Sequence, residues 1–214
     1  MDEEITIIDS NARNERIKNF FIDNKKKLIS IVSIILVIII GYLSFEKSKE
    51  RTKIKLANKY NLALIDLNPD NKQKTIDEMV NVVKSNDATY SPLALYHLLD
   101  NNLLENNEEI NILFNELIEK TNLDNEIKNL IIYKKALFNS DLVSENELLK
   151  ILNPVINSES IWKSHSLYLL AEFFYSKNEK QKAKEFFNQI LVLPNANSTI
   201  KTESQKRLNR DLGE

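Results

Sequence analysis

Metal or acid–base chemistry in this chain would fall to His97 and His165, the two histidines of a sequence that contains no cysteine. A zinc site needs three or four ligands at characteristic spacing. The two histidines lie on different predicted helices without a His or Cys partner, so both read as helix-face or packing residues rather than ligands or bases. The serines sit in no G-x-S-x-G motif. With glycine only at Gly41 and Gly213, neither a nucleophile elbow nor a phosphate-cradling loop exists. The acidic pair Glu108-Glu109 reads as favourable charge at a helix N-terminus. What remains is aromatic: Trp162, Phe173, Phe174, Tyr175, Phe186 and Phe187. Phe174 and Phe187 read as core. Trp162, Phe173 and Tyr175 need not all face inward, and they are the candidate partner-binding residues. These residue types point to apolar binding and away from catalysis. No catalytic residue, cofactor, metal or small-molecule substrate is expected.

The elements that must position these side chains are helices. The chain has 214 residues with two glycines and four prolines, too few turn formers for a sandwich or a doubly wound sheet. Its formal net charge of -2 gives no basic bias toward nucleic acid. Residues 28–45, LISIVSIILVIIIGYLSF, carry no charge and no polar face. About 18 apolar residues cross a bilayer core as a helix. A polar tail precedes the run and no small-residue cleavage site follows it, so a retained anchor is expected rather than a cleaved signal. The expected layout is a tail over 1–27, a transmembrane helix over 28–45, a helical stalk over 46–68 and a helical-repeat domain over 69–214. Lysines and arginines flank both ends of the span. The Lys25-Lys26-Lys27 cluster abuts the membrane edge, and long downstream domains translocate largely regardless of charge, which favours an inside N-terminus.

Along the chain, Leu56, Tyr60, Ala63, Leu64 and Leu67 share one helical face of the stalk, which Asn68-Pro69-Asp70-Asn71 ends. Ile76, Met79, Val80 and Val83 mark a short amphipathic helix. Ser91-Pro92 reads as an N-cap followed by proline at the first helical position. Ile110, Leu113, Phe114, Leu117 and Ile118 give the cleanest 3.6-residue period. Asp124 opens another helix. Ser144-Glu145-Asn146-Glu147 is a capping box whose helix is expected to end at Pro154. Ile161–Ser176 and Gln181–Leu193 form a helix pair, and a polar helix follows Pro194-Asn195-Ala196-Asn197.

Paired helices with short polar connections are the pattern of an α-solenoid. The stretch WKSHSLYLLAEFFYSKNEKQKAKEFFNQILVLPN, with small residues at Ala171 and Ala183 and large ones at Phe174, Phe187 and Ile190, resembles a tetratricopeptide repeat. Ala136 and Ala94 head weaker copies, in which Lys135 and Asn139 replace apolar residues. The expected fold is therefore all-α: one N-terminal transmembrane helix followed by a tetratricopeptide-like α-solenoid. With KNFFIDNKKK before the span, SPLALYHLL, and LKILNPV…IWKSHSLYLLAEFF…KAKEFFNQIL after it, the chain resembles the YfgM-like family of ancillary subunits of the SecYEG translocon. That resemblance implies a bacterial inner-membrane protein with a cytoplasmic N-terminus and a periplasmic domain. Its implied partners are translocon subunits and periplasmic chaperones, with the lipid bilayer around the span, and it implies no enzymatic activity. The alternative is an envelope scaffold coordinating cell division or cell-wall synthesis.

Overall fold

A computed structural model describes residues 15–16, 18–67 and 71–213, and among these every regular element is a helix. The first part of the tail and the Asn68-Pro69-Asp70 turn lie outside the described residues. The chain divides into two units, Met1–Lys55 and Leu56–Glu214.

Helix α1, Lys25–Ile65, contributes most of the first unit. Its apolar segment is long and hydrophobic enough to cross a membrane, and none of it is buried. Val37 is 69 % exposed and Phe45 70 %. A helix that is apolar all round has no preferred face to bury, which separates this segment from an amphipathic core helix. In the second unit, the end of α1 supplies Ala63 to the core, and the Tyr60 ring meets Tyr90 at 5.9 Å. The stalk face expected from the sequence is only partly used, because Leu64 stays 38 % exposed.

Eight further helices follow: α2 Lys72–Val83, α3 Tyr90–Asp100, α4 Asn107–Lys120, α5 Asn125–Asn139, α6 Glu145–Ile156, α7 Lys163–Ser176, α8 Lys180–Val192 and α9 Ser198–Asp211. Each packs against the next one or two in the chain, with α7–α8 and α2–α3 the most extensive contacts. Their apolar faces make two cores. The first gathers Met79, Val83, Leu95, Leu98, Leu113, Phe114, Leu117 and Ile131. The second gathers Ala136, Leu148, Leu152, Leu170, Ala171, Phe174, Ala183, Phe187 and Ile190. Helix α5 is the shared wall, giving Ile131 to one core and Ala136 to the other.

Polar residues that interrupt the apolar pattern on α5 are matched on α4. Asn139, buried at 3 % exposure, exchanges amide hydrogen bonds with Asn111 in both directions at 2.8 and 3.0 Å. The Lys135 ammonium donates to Asn115 Oδ1 at 2.7 Å. Burial holds the Lys135 pKa below the ordinary lysine value. Satisfied in this way, the polar pairs avoid the desolvation penalty of unpaired buried groups.

Side-chain caps set the helix starts. Asn106 Oδ1 accepts from the N–H of Glu108 and Glu109, Asp124 from Glu126, and Asn197 from Thr199 and Ile200. Ser144 and Glu147 complete the capping box. Two sequence readings are corrected. Ser91 does not cap α3: the helix starts at Tyr90, Asp87 Oδ1 accepts from the N–H of Thr89 and Tyr90, and the Ser91 hydroxyl donates to Val82 O at 2.8 Å. Pro154 lies inside α6, not at its end. The ring removes one hydrogen bond from an exposed face, and the fully buried Val155 beyond it holds the last turn in place.

With glycine nearly absent, asparagine supplies the left-handed residues. Asn102 (φ 49°) and Asn178 (φ 63°) each follow a helix end. After α3, Leu103 N–H donates to Leu98 O and Asn102 N–H to Leu99 O; after α7, Glu179 donates to Phe174 O and Asn178 to Tyr175 O. Both sets are Schellman closures. A Cβ disfavours this conformation by roughly 1–2 kcal/mol, least for Asn. Asn178→Ala is therefore expected to lower the unfolding free energy by about 1 kcal/mol, while Asn178→Gly leaves it unchanged or higher. Urea unfolding of the detergent-solubilised full chain measures both.

Candidate functional site

The three aromatic candidates do not form one site. Phe173 and Tyr175 sit in the last turn of α7, whereas Trp162 immediately precedes its first residue, about 16–20 Å away at 1.5 Å per residue. Phe173 is 7 % exposed and meets Phe174 edge-to-face at 5.6 Å, so it serves the core. Tyr175 is half-buried beneath the Arg207 guanidinium, 4.4 Å from its ring centroid.

That guanidinium fastens α9 to α7. Arg207 donates to both carboxylate oxygens of Glu172 and to Asp211, a bidentate geometry that only arginine provides. Glu172, then Asp211, holds the Arg207 pKa above its ordinary value. Hydrogen bonds from Arg210 and then Arg207 lower the Asp211 carboxyl to about 2. Burial and the neighbouring Glu172 push the Tyr168 hydroxyl up to about 12. Helix α9 buries Ser204 and Leu208, with Leu212 just beyond it, and this cluster adds to its packing on α8 and α7.

Trp162 is in a different setting. Its ring stacks on Tyr133 of α5 (5.8 Å, 20°) and lies 5.1 Å from the His165 ring. Burial raises the Tyr133 pKa. The turn before Trp162 is fixed from a distance: the Glu126 carboxylate, at the start of α5, accepts from the Ser160 hydroxyl at 2.8 Å and from the Ile161 N–H at 3.3 Å. Ser160 Oγ in turn accepts from the Trp162 N–H at 3.1 Å. On the other side, the Asn197 N–H donates to Ser164 Oγ at 3.2 Å, tying the α8–α9 loop to α7. Between these supports lies a concavity of about 370 Å³ lined by Ile161, Trp162, His165, Asn195 and Asn197.

Of the sequence candidates, then, Trp162 lines this concavity. The helix expected from Ile161 begins instead at Lys163, which leaves Ile161 64 % exposed at the rim. Tyr133, Glu126 and Ser160 were missed because their roles come from contacts some 30 residues away. The doublet Ile161-Trp162, bulky and apolar directly after Ser158-Glu159-Ser160, is the local signal that marks the place. Among the described residues no group of three or more His, Cys, Asp or Glu could hold a metal ion.

The fold and this site together define an all-helical protein with one long apolar N-terminal helix and an aromatic concavity, a class with many uses. Comparison with protein-family models, curated proteins and solved structures finds no match.

Two outcomes test this geometry. Glu126→Ala leaves the Ser160 hydroxyl and the Ile161 N–H without their acceptor; it is expected to cost about 1–2 kcal/mol and to shift Trp162 emission to the red, with Glu126→Gln smaller on both counts. The Asp211 carboxyl titrates lower in the folded chain than its ordinary 3.8. Its contribution is therefore complete above about pH 4 and is lost as pH falls toward 2. Hydrogen exchange in α9 is expected to accelerate over that window, and Asp211→Asn to remove the pH dependence.

Proposed function

We propose that this chain is a membrane-anchored protein–protein interaction module, with α1 as its span and α2–α9 as a tetratricopeptide-like stack that holds other proteins. The observation that carries the reading is the apolar run of α1, exposed on every side, in the same chain as helices that bury their faces only against near neighbours. Fully exposed apolar side chains in water are unfavourable by about 25 cal/mol per Å², and a bilayer removes that cost.

The repeat reading is supported by the second half of the stack. Ala136, Ala171 and Ala183 are fully buried, and α5, α7 and α9 touch in sequence while α6 and α8 lie between them. The first half departs from this pattern, with α2 meeting α4. Stacked helix pairs offer extended surfaces for peptides and partner helices.

The process we propose is that implied by the resemblance to YfgM-like proteins. The chain would be an ancillary factor at the Sec translocon, in a bacterial inner membrane, with its C-terminal domain in the periplasm. The test is purification of the full chain from membranes in mild detergent. Co-recovery of translocon subunits and periplasmic chaperones is expected. Recovery of division or cell-wall enzymes instead would replace the reading with the envelope-scaffold alternative. A reporter fused after Glu214 is expected to be active only in a periplasmic format, and recovery of the chain in the aqueous fraction would overturn the anchor.

A further inference from the structure

Helix α1 runs unbroken from Lys25 to Ile65, and its apolar run has cations at both ends: Lys25, Lys26 and Lys27 before it, and Lys47, Lys49, Arg51, Lys53 and Lys55 after it. Folding does not account for the second group. All five are exposed, and although Glu46 and Glu50 lie within a turn of them, none of the five forms an ion pair among the described residues. Helical phase sorts the charges into stripes of i, i+4 spacing: Lys49-Lys53 and Lys47-Arg51-Lys55 run on either side of Glu46-Glu50. The longer basic stripe turns away from the acids as it ascends. Sorting of the span does not account for it either. Lysine and arginine normally concentrate on the cytoplasmic side, yet here they stand on both, so in either orientation one basic flank lies where that rule puts few. In the orientation proposed above, it is this one.

We propose that Lys47, Arg51 and Lys55, with Lys49 and Lys53 beside them, form a binding surface for the headgroups of anionic phospholipid, which gather around this end of the span. The proposal rests on reading α1 as a span and adds the lipid class that the span selects. Geometry puts these side chains at the bilayer surface. Lys27 and Lys47 are twenty residues apart, about 30 Å along a helix, which matches the hydrocarbon core of a bilayer. Both therefore emerge at headgroup level. Lys55 lies about 12 Å beyond Lys47, within reach of a headgroup layer of about 5–7 Å and a Debye length of about 8 Å past it. Long basic side chains also bend back toward the interface along their apolar stems. Charge then selects the ligand: five cations against two carboxylates attract anionic headgroups and gain nothing from zwitterionic ones.

The chain contains no cysteine, so Ser48→Cys, at an exposed position between Lys47 and Lys49, gives a unique place for a donor dye. The labelled full chain is reconstituted in phosphatidylcholine vesicles holding a trace of phosphatidylglycerol or phosphatidylcholine with the same acceptor dye on one acyl chain. Energy transfer is expected to show phosphatidylglycerol enriched about fivefold around the helix over phosphatidylcholine. The preference is expected to vanish in the triple variant Lys47→Gln, Arg51→Gln, Lys55→Gln, and in about 1 M salt, where the Debye length is about 3 Å. It is expected to survive glutamine at Lys25, Lys26 and Lys27. These positions are exposed apart from the edge of the tail, and unchanged helical circular dichroism confirms that the variants fold. Equal transfer from the two lipids, or a preference that the triple variant retains, overturns the proposal. Loss of the preference in the Lys25–Lys27 variant instead moves the site to the other flank and overturns it equally. The two readings fail separately: a chain that stays in the bilayer without lipid preference refutes only this surface, and a lipid preference without co-recovered translocon refutes only the process.

Discussion

Each helix from α2 to α9 has an apolar face that only its immediate neighbours in the chain can cover, and every other property of this region follows from that restriction. Burial is local, so the two cores form in succession along the chain instead of around one centre. Contacts close in sequence separation require little loop-closure entropy, which suits a molecule whose connections are short and nearly free of glycine. Helix α9 has few apolar residues to bury, Ser204 and Leu208 being its buried positions, and it leans on Arg207 where burial is thin.

Long-range polar contacts do the remaining positioning. Glu126 reaches the turn before α7, Ser164 accepts from the loop before α9, and Lys182 pairs with Glu145 across α8 and α6 at 2.7 Å. These contacts add modest stability, since exposed ion pairs are worth little. Their effect is to fix turns that carry no regular hydrogen bonding, and the orientation of Trp162 is one result.

How much of this was legible in the sequence differs by level. The helices were legible because 3.6-residue periodicity and caps such as Asn106, Asp124 and the Ser144 box are local properties, visible within a few residues. The single apolar run was legible for the same reason. Ser91 was misplaced because its hydroxyl is claimed by Val82 O, nine residues back, and Pro154 because Val155 binds the core strongly enough to carry the helix past a proline. The site was half legible. Trp162 was marked out by type, but Tyr133, Ser160 and Glu126 acquire their roles through tertiary contact, and Phe173 lost its candidacy to burial against Phe174. Lys135 and Asn139 looked like defects in a repeat until Asn111 and Asn115 were found opposite them.

The Asn111–Asn139 pair has a geometric consequence. Two carboxamides that each give and take a hydrogen bond fit only one axial alignment of α4 on α5, whereas the greasy contacts around them, such as Phe114 on Phe138, tolerate a slide. Displacement by one helical turn, about 5.4 Å, would break both bonds and leave the buried Asn139 amide without its partner. The pair acts as the notch of a ratchet: it sets the pitch at which the first core is mounted on the second, and so the direction in which all later helices are aimed.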